Sequence, residues 1–123
     1  MQKIITLTIV LLLAMTMSAA DITSISTAFK SGKAADLASM FDTEVDMALP
    51  GATSKCNPKA AVDMLSNFFA AGKPTNFAVV HNADKKDSGF IVGKLTTAKG
   101  EFRVNISYRS EGNRAIIQSV RIE

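Results

Sequence analysis

From Phe77 to the end of the chain, apolar and polar residues alternate in runs broken only by short clusters of Gly, Asn, Asp and Lys. A period of two interrupted by turn residues restricts this stretch to antiparallel strands joined by hairpins. The clearest run is residues 101–109, where Phe102, Val104, Ile106 and Tyr108 point one way and Arg103, Asn105, Ser107 and Arg109 the other. Turns are expected at Asn82 to Gly89, at Lys99-Gly100 and at Glu111-Gly112-Asn113. A three-residue loop from Glu111 to Asn113 pairs Tyr108 with Ile116, Ile106 with Gln118, Val104 with Val120 and Phe102 with Ile122. A one-residue slip would turn Arg121 onto the core face, and that burial penalty selects this register. A two-residue turn at Lys99-Gly100 brings Ile91, Gly93, Leu95 and Thr97 onto the same inner face.

The preceding residues change period. Ile22, Ile25, Ala28 and Phe29 recur at helical spacing up to Ser31-Gly32, and Leu37, Met40 and Phe41 predict a short second helix ending near Asp42. Val45, Met47 and Leu49 then share one face of a strand that Pro50-Gly51 turns. Asn57-Pro58 starts a third helix, because Asn accepts backbone N–H groups and Pro has none to lose. Its buried stripe is Ala61, Leu65, Phe68 and Phe69, with Met64 at the margin, and Gly72 followed by Pro74 ends it. Helices in front and a hairpin meander behind make one α+β unit.

The first twenty residues read as an export signal: Met1-Gln2-Lys3, an uncharged apolar run from Ile4 to Met17, then the small residues Ser18, Ala19 and Ala20. Cleavage after Ala20 leaves a domain of residues 21–123 in the periplasm or outside the cell, and Asp21 stands where a lipoprotein would need cysteine. Losing Lys3 with the leader takes the formal net charge from +3 to +2. Such a small excess argues against nucleic acid, which is normally met by a concentrated basic face. The mature chain has no run of apolar residues long enough for a transmembrane anchor.

Chemistry is thin. The chain holds one Cys (Cys56), one His (His81) and one Tyr (Tyr108), so no metal set is assigned, since a zinc site needs several ligands. Cys56 just before the Asn57 cap and His81 are the only conceivable nucleophile and base, and no third group orients His81. A lone Cys is more often a small buried hydrophobe. Glu44 and Asp46 read as a solvated strand face, and no cofactor motif or catalytic residue is assigned.

Two places on the sheet are candidate sites. On the inner face, Gly93, Ile106, Tyr108 and Gln118 combine missing bulk with an amide and form a candidate pocket for a small apolar ligand of unknown identity. Gly93 permitting a bulge and Gln118 satisfied by backbone is the plainer reading. On the outer face, Arg103 opposite Arg121, with Lys94 and Arg109 nearby and Phe90, Val92 and Ile117 between them, is a candidate surface for a second subunit or a protein partner. The alternative is an ordinary solvated face with scattered hydrophobes.

Phe68-Phe69 after Lys59-Ala60-Ala61, then Gly93-Lys94-Leu95-Thr96-Thr97, Gly100-Glu101-Phe102-Arg103-Val104 and the ending Gln118-Ser119-Val120-Arg121-Ile122-Glu123, resemble a family of small secreted Bacteroidetes proteins of unknown function. That family looks like the nuclear transport factor 2-like (cystatin-like) superfamily. The resemblance covers the mature chain and implies helices packed on a curved antiparallel sheet that wraps a long helix as a cone, often dimeric through the sheet. It implies no activity, because the superfamily includes isomerase-like and dehydratase-like enzymes beside members without known catalysis. The isomerase pattern needs an acid and a tyrosine in the cone. Here the first helix offers Phe29, and no inward carboxylate faces Tyr108 in the expected register.

Overall fold

The structure, a computed structural model, describes residues 19–123, with side chains from Asp21 onward. Of the expected leader, which ends at Ala20, residues 1–18 lie outside the described residues. Helix α1 spans Ala19–Ser31, a 3-10 helix Ala34–Met40, strand β1 Phe41–Leu49 and strand β2 Ala52–Cys56. Helix α2 spans Pro58–Gly72, and four strands follow: β3 Pro74–Asp84, β4 Ser88–Thr97, β5 Gly100–Glu111 and β6 Arg114–Ile122. They form a six-stranded sheet in the order β2-β1-β6-β5-β4-β3. α1 packs on β3, and α2 packs on the 3-10 helix and β1.

Amphipathic spacing accounts for α1: Ile25, Ala28 and Phe29 are fully buried and Ile22 packs beside them. Gly32 stops it with φ +69°. The second helix is tighter than its sequence suggests. Its buried residues are Ala34, Leu37 and Met40, three apart, which is the spacing at which a 3-10 helix stacks side chains on one side. Phe41 is already extended and opens β1, so this helix ends at Met40, two residues short of the expected Asp42.

α2 starts as expected. Asn57 Oδ1 accepts the Ala60 N–H at 2.9 Å, with Pro58 in the first turn. Asn57→Ala is expected to lower stability by about 1 kcal/mol in urea unfolding without altering the helix content of the folded state. At the other end the left-handed residue is Lys73 (φ 54°), not glycine, and its N–H reaches Phe69 O at 2.8 Å. Ala98 of the β4–β5 turn then donates to Gly72 O at 2.8 Å, so the hairpin satisfies a carbonyl that the helix end leaves open.

The meander forms with three changes. The β4–β5 turn is Ala98-Lys99, because Thr97 pairs with Gly100. Ile91, Gly93, Leu95 and Thr97 are nevertheless all buried on the inner face. The β5–β6 turn is two residues, Gly112-Asn113, with Glu111 opposite Arg114 and Gly112 at φ +65°. The register then shifts between Ser107 and Tyr108: Tyr108 faces Ile117 while Ser107 faces Ser119. Gln118 is the extra residue of a β-bulge. Below the bulge Ala115 and Ile117 are buried, above it Val120 and Ile122 are buried, and Arg121 stays exposed. The bulge absorbs the slip that would otherwise have carried Arg121 inward.

The sheet is mixed rather than purely antiparallel. β1 lies parallel to β6, with Phe41 opposite Ile117 and Met47 opposite Val120, and the register shifts between Phe41 and Asp46. β2, paired antiparallel with β1, has no counterpart in the sequence reading, because four of its five residues are exposed and no alternation marks it.

Candidate functional site

On the inner face the hollow expected at Gly93 is occupied. A side chain at Gly93 would run into the ring of Phe77, which stacks on Phe29 at 5.0 Å between centroids while Phe69 meets Phe29 edge-on at 5.5 Å. Ile106 is fully buried and Tyr108 is 1% exposed. Gln118 is exposed on the bulge. The four residues named as a pocket therefore do not converge: three are core and the fourth has changed places with Ile117.

Tyr108 does meet a carboxylate, contrary to the expected register. Its hydroxyl donates to Asp84 Oδ1 at the end of β3. Gly89, directly opposite Tyr108, leaves room for that hydroxyl, since a Cβ there would collide with it and with Ala83 O. The phenol is sealed in the core and its hydrogen is engaged, so the pair works as a polar pin at the sheet rim.

Cys56 and His81 stand on β2 and β3, the opposite edges of the sheet, about 24 Å apart at ~4.8 Å per strand spacing. Burial also pushes the Cys56 thiol up from its ordinary value. They form no nucleophile–base pair.

The outer face is differently arranged from the sequence expectation. The bulge places Arg121 opposite Asn105 rather than Arg103, and Arg103 exchanges backbone hydrogen bonds with Glu123 at 2.7 and 2.9 Å. Lys94 sits opposite Arg103 and pairs with Glu101 at 3.3 Å. Ile117 is fully buried and leaves the surface, Val92 is 7% exposed, and Phe90 is 38% exposed. Phe90 is joined by Val80, which is 61% exposed, whereas Val79 stands opposite the inward Gly93. The register shifts between Val79 and His81, so Val80 is the unpaired residue of a second bulge, and no local pattern announces it. A groove of about 720 Å³ follows, whose lining includes Val80, His81, Phe90, Val92, Lys94, Glu101, Phe102, Arg103 and Glu123. His81 lies 5.6 Å from the Phe90 ring. Val80, His81 and Glu101 were missed by sequence reasoning; the β3 bulge would have found Val80 and His81, and alternation with Arg103 along β5 would have found Glu101.

Arg109 is engaged elsewhere. Its Nε donates to Asp42 Oδ2 at 3.1 Å and its Nη1 to Glu111 Oε2 at 2.6 Å, tying β5 to the start of β1. The Arg109 hydrogen bond, with the Thr43 N–H second, holds the Asp42 carboxyl below its ordinary value of 3.8, and Arg109 is pushed up in turn. A carboxylate with a depressed folded value stabilises the fold at neutral pH and loses that contribution as pH falls through the folded value. The Tm difference between wild type and Asp42→Asn is therefore expected to be largest near about pH 6 and to shrink towards about pH 3. An unchanged difference would mean the pair carries no stability.

A mixed sheet with helices on one face only, reached through helix, 3-10 helix, hairpin, helix and meander, is the nuclear transport factor 2-like class of α+β protein. An NTF-2 like protein of unknown function from Silicibacter pomeroyi superposes with a TM-score of 0.64 at 15% identity over 85% of this chain and 89% of that one, a likeness of fold alone. The chain belongs to the DUF4783 family, described as a domain of unknown function, which it matches over residues 22–123. It is similar to a DUF4783 family protein of Bacteroides fragilis (34% identity, TM-score 0.74, covering 80% of this chain and 93% of that one). It is likewise similar to one of Bacteroides uniformis (31%, TM-score 0.77, 82% and 94%). No curated protein matches it in sequence.

Proposed function

We propose that this chain is an exported, non-catalytic interaction module whose partner is a second copy of itself, met through the outer face of β3, β4 and β5. One observation carries the reading. Two of the three large apolar side chains left exposed among the described residues, Val80 and Phe90, border the 720 Å³ groove on this face. Charges of both signs line the same groove, Lys94 and Arg103 beside Glu101 and Glu123. A surface that is its own complement suits a two-fold contact. Export is supported by the apolar run of residues 4–17 and by the family match beginning at residue 22. Among the described residues no helix is long and apolar enough to cross a membrane. The packed positions of Ile106 and Tyr108 and the exposed one of Gln118 give the ligand-cone alternative, isomerase- or dehydratase-like, no comparable support.

Solution mass measured by light scattering tests the reading. The purified protein is expected to be a dimer that dissociates on Phe90→Glu and on Arg103→Glu, both surface changes that leave the core intact. A monomer at high concentration, or a dimer indifferent to both substitutions, would overturn it.

A further inference from the structure

At one end of the inner face the cover is incomplete. Phe68, which the sequence places in the core stripe of α2, and Phe102, expected on the inner face of β5, are both only half-buried, as is Met64. The two rings meet edge-to-face at 5.3 Å and form one side of a cleft of about 370 Å³ between the C-terminal half of α2, the β1–β2 turn and the β4–β5 turn. Leu49 and Ala71 complete its apolar walls, and Lys99 is the one charged residue lining it. No ion-pair partner of Lys99 occurs among the described residues.

The walls are held from outside the cleft. Ala98 donates to both Gly72 O and Lys73 O, at 2.8 and 3.3 Å, and Thr97 Oγ1 accepts the Lys99 N–H at 3.1 Å while donating to Gly100 O at 2.9 Å. The turn carrying Lys99 is thereby fastened to the end of α2, so the opening does not depend on a mobile loop. Half-open aromatic rings on a braced frame are what a preformed small-molecule site looks like, with apolar walls and few polar groups to orient the ligand.

We propose that this cleft binds a small amphiphilic monoanion, with an apolar body lying on Phe68 and Phe102 and its acidic head paired with Lys99. Volume and lining choose this occupant. At the ~30 Å³ that a water-sized group takes in a liquid, the cleft holds roughly a dozen heavy atoms, too few for a folded segment. A single cation at an otherwise apolar opening matches a ligand with one anionic end. The cleft shares Phe102 with the groove of the proposed self-contact but none of Val80, Phe90 and Arg103, so substitutions at those residues test the two ideas separately.

Decanoate, with about a dozen heavy atoms, is a suitable probe, and decanol is its uncharged counterpart. Amide NMR of the purified protein titrated with decanoate is expected to show saturable shifts at Leu49, Phe68, Ala71 and Phe102. Decanol is expected to bind about fivefold more weakly, as an exposed charge pair allows, and Lys99→Gln to remove that difference. Ala71 is exposed on α2, so Ala71→Trp fills the cleft without disturbing the core and should abolish binding with an unchanged circular dichroism spectrum. Shifts centred on Val80 and Phe90, unsaturable shifts, equal affinity for acid and alcohol, or binding that survives Ala71→Trp would each overturn the proposal. Phe90→Glu, which tests the self-contact, is expected to leave decanoate binding unchanged.

Discussion

Replacing Phe29 by alanine is expected to lower stability by about 3–5 kcal/mol. The side chain is fully buried and touches two other rings, Phe77 at 5.0 Å face-on and Phe69 at 5.5 Å edge-on. It is the point at which α1 and α2 are both fastened to the sheet, since Phe69 belongs to α2 and Phe77 to β3. The substitution removes the transfer free energy of an aromatic ring and leaves a cavity that three separate elements would have to move to fill. Domains of this size are stable by only about 5–15 kcal/mol, so urea unfolding should show a midpoint lowered by about a fifth or more. A loss under about 1 kcal/mol would mean that α1 is not docked as described.

Gly93→Ala is expected to cost about 1–3 kcal/mol, an unusual price for one methyl group. The added Cβ would overlap the Phe77 ring, and the ring cannot simply swing aside because Phe29 is stacked against it. The diagnostic is coupling: in a Phe77→Leu background the same methyl group has room, and a double-mutant cycle should return an interaction of about 1 kcal/mol or more. If Gly93→Ala is within about 0.5 kcal/mol of wild type, the ring finds another rotamer and the hollow at Gly93 can open.

These two residues also show what is legible from a sequence. Phe29 declares itself through its spacing from Ile22 and Ile25. The absence of a side chain at Gly93 is equally plain in the sequence and says nothing of whether the space is empty or filled. Phe77 fills it from the neighbouring strand, and that is decided by the pairing of β3 with β4, in which Val79 stands opposite Gly93. The candidate pocket at Gly93, Ile106, Tyr108 and Gln118 failed to assemble for this reason. The outer face was half legible: Phe90, Val92, Lys94 and Arg103 share a groove that alternation alone did not show, whereas Ile117 went inward and Arg109 was taken up by Asp42 and Glu111.

Local sequence alone determined the α+β class, the cap at Asn57, the stop at Gly32 and the inner face of β4 and β5, because each depends on residues within a turn or a strand pair of one another. Tertiary structure decided the bulge at Gln118, the parallel seat of β1 beside β6 and the existence of β2. Those choices balance burial across strands far apart in the chain. Keeping Arg121 in water while burying Ile117 costs one unpaired residue, and no period within β6 itself records that exchange.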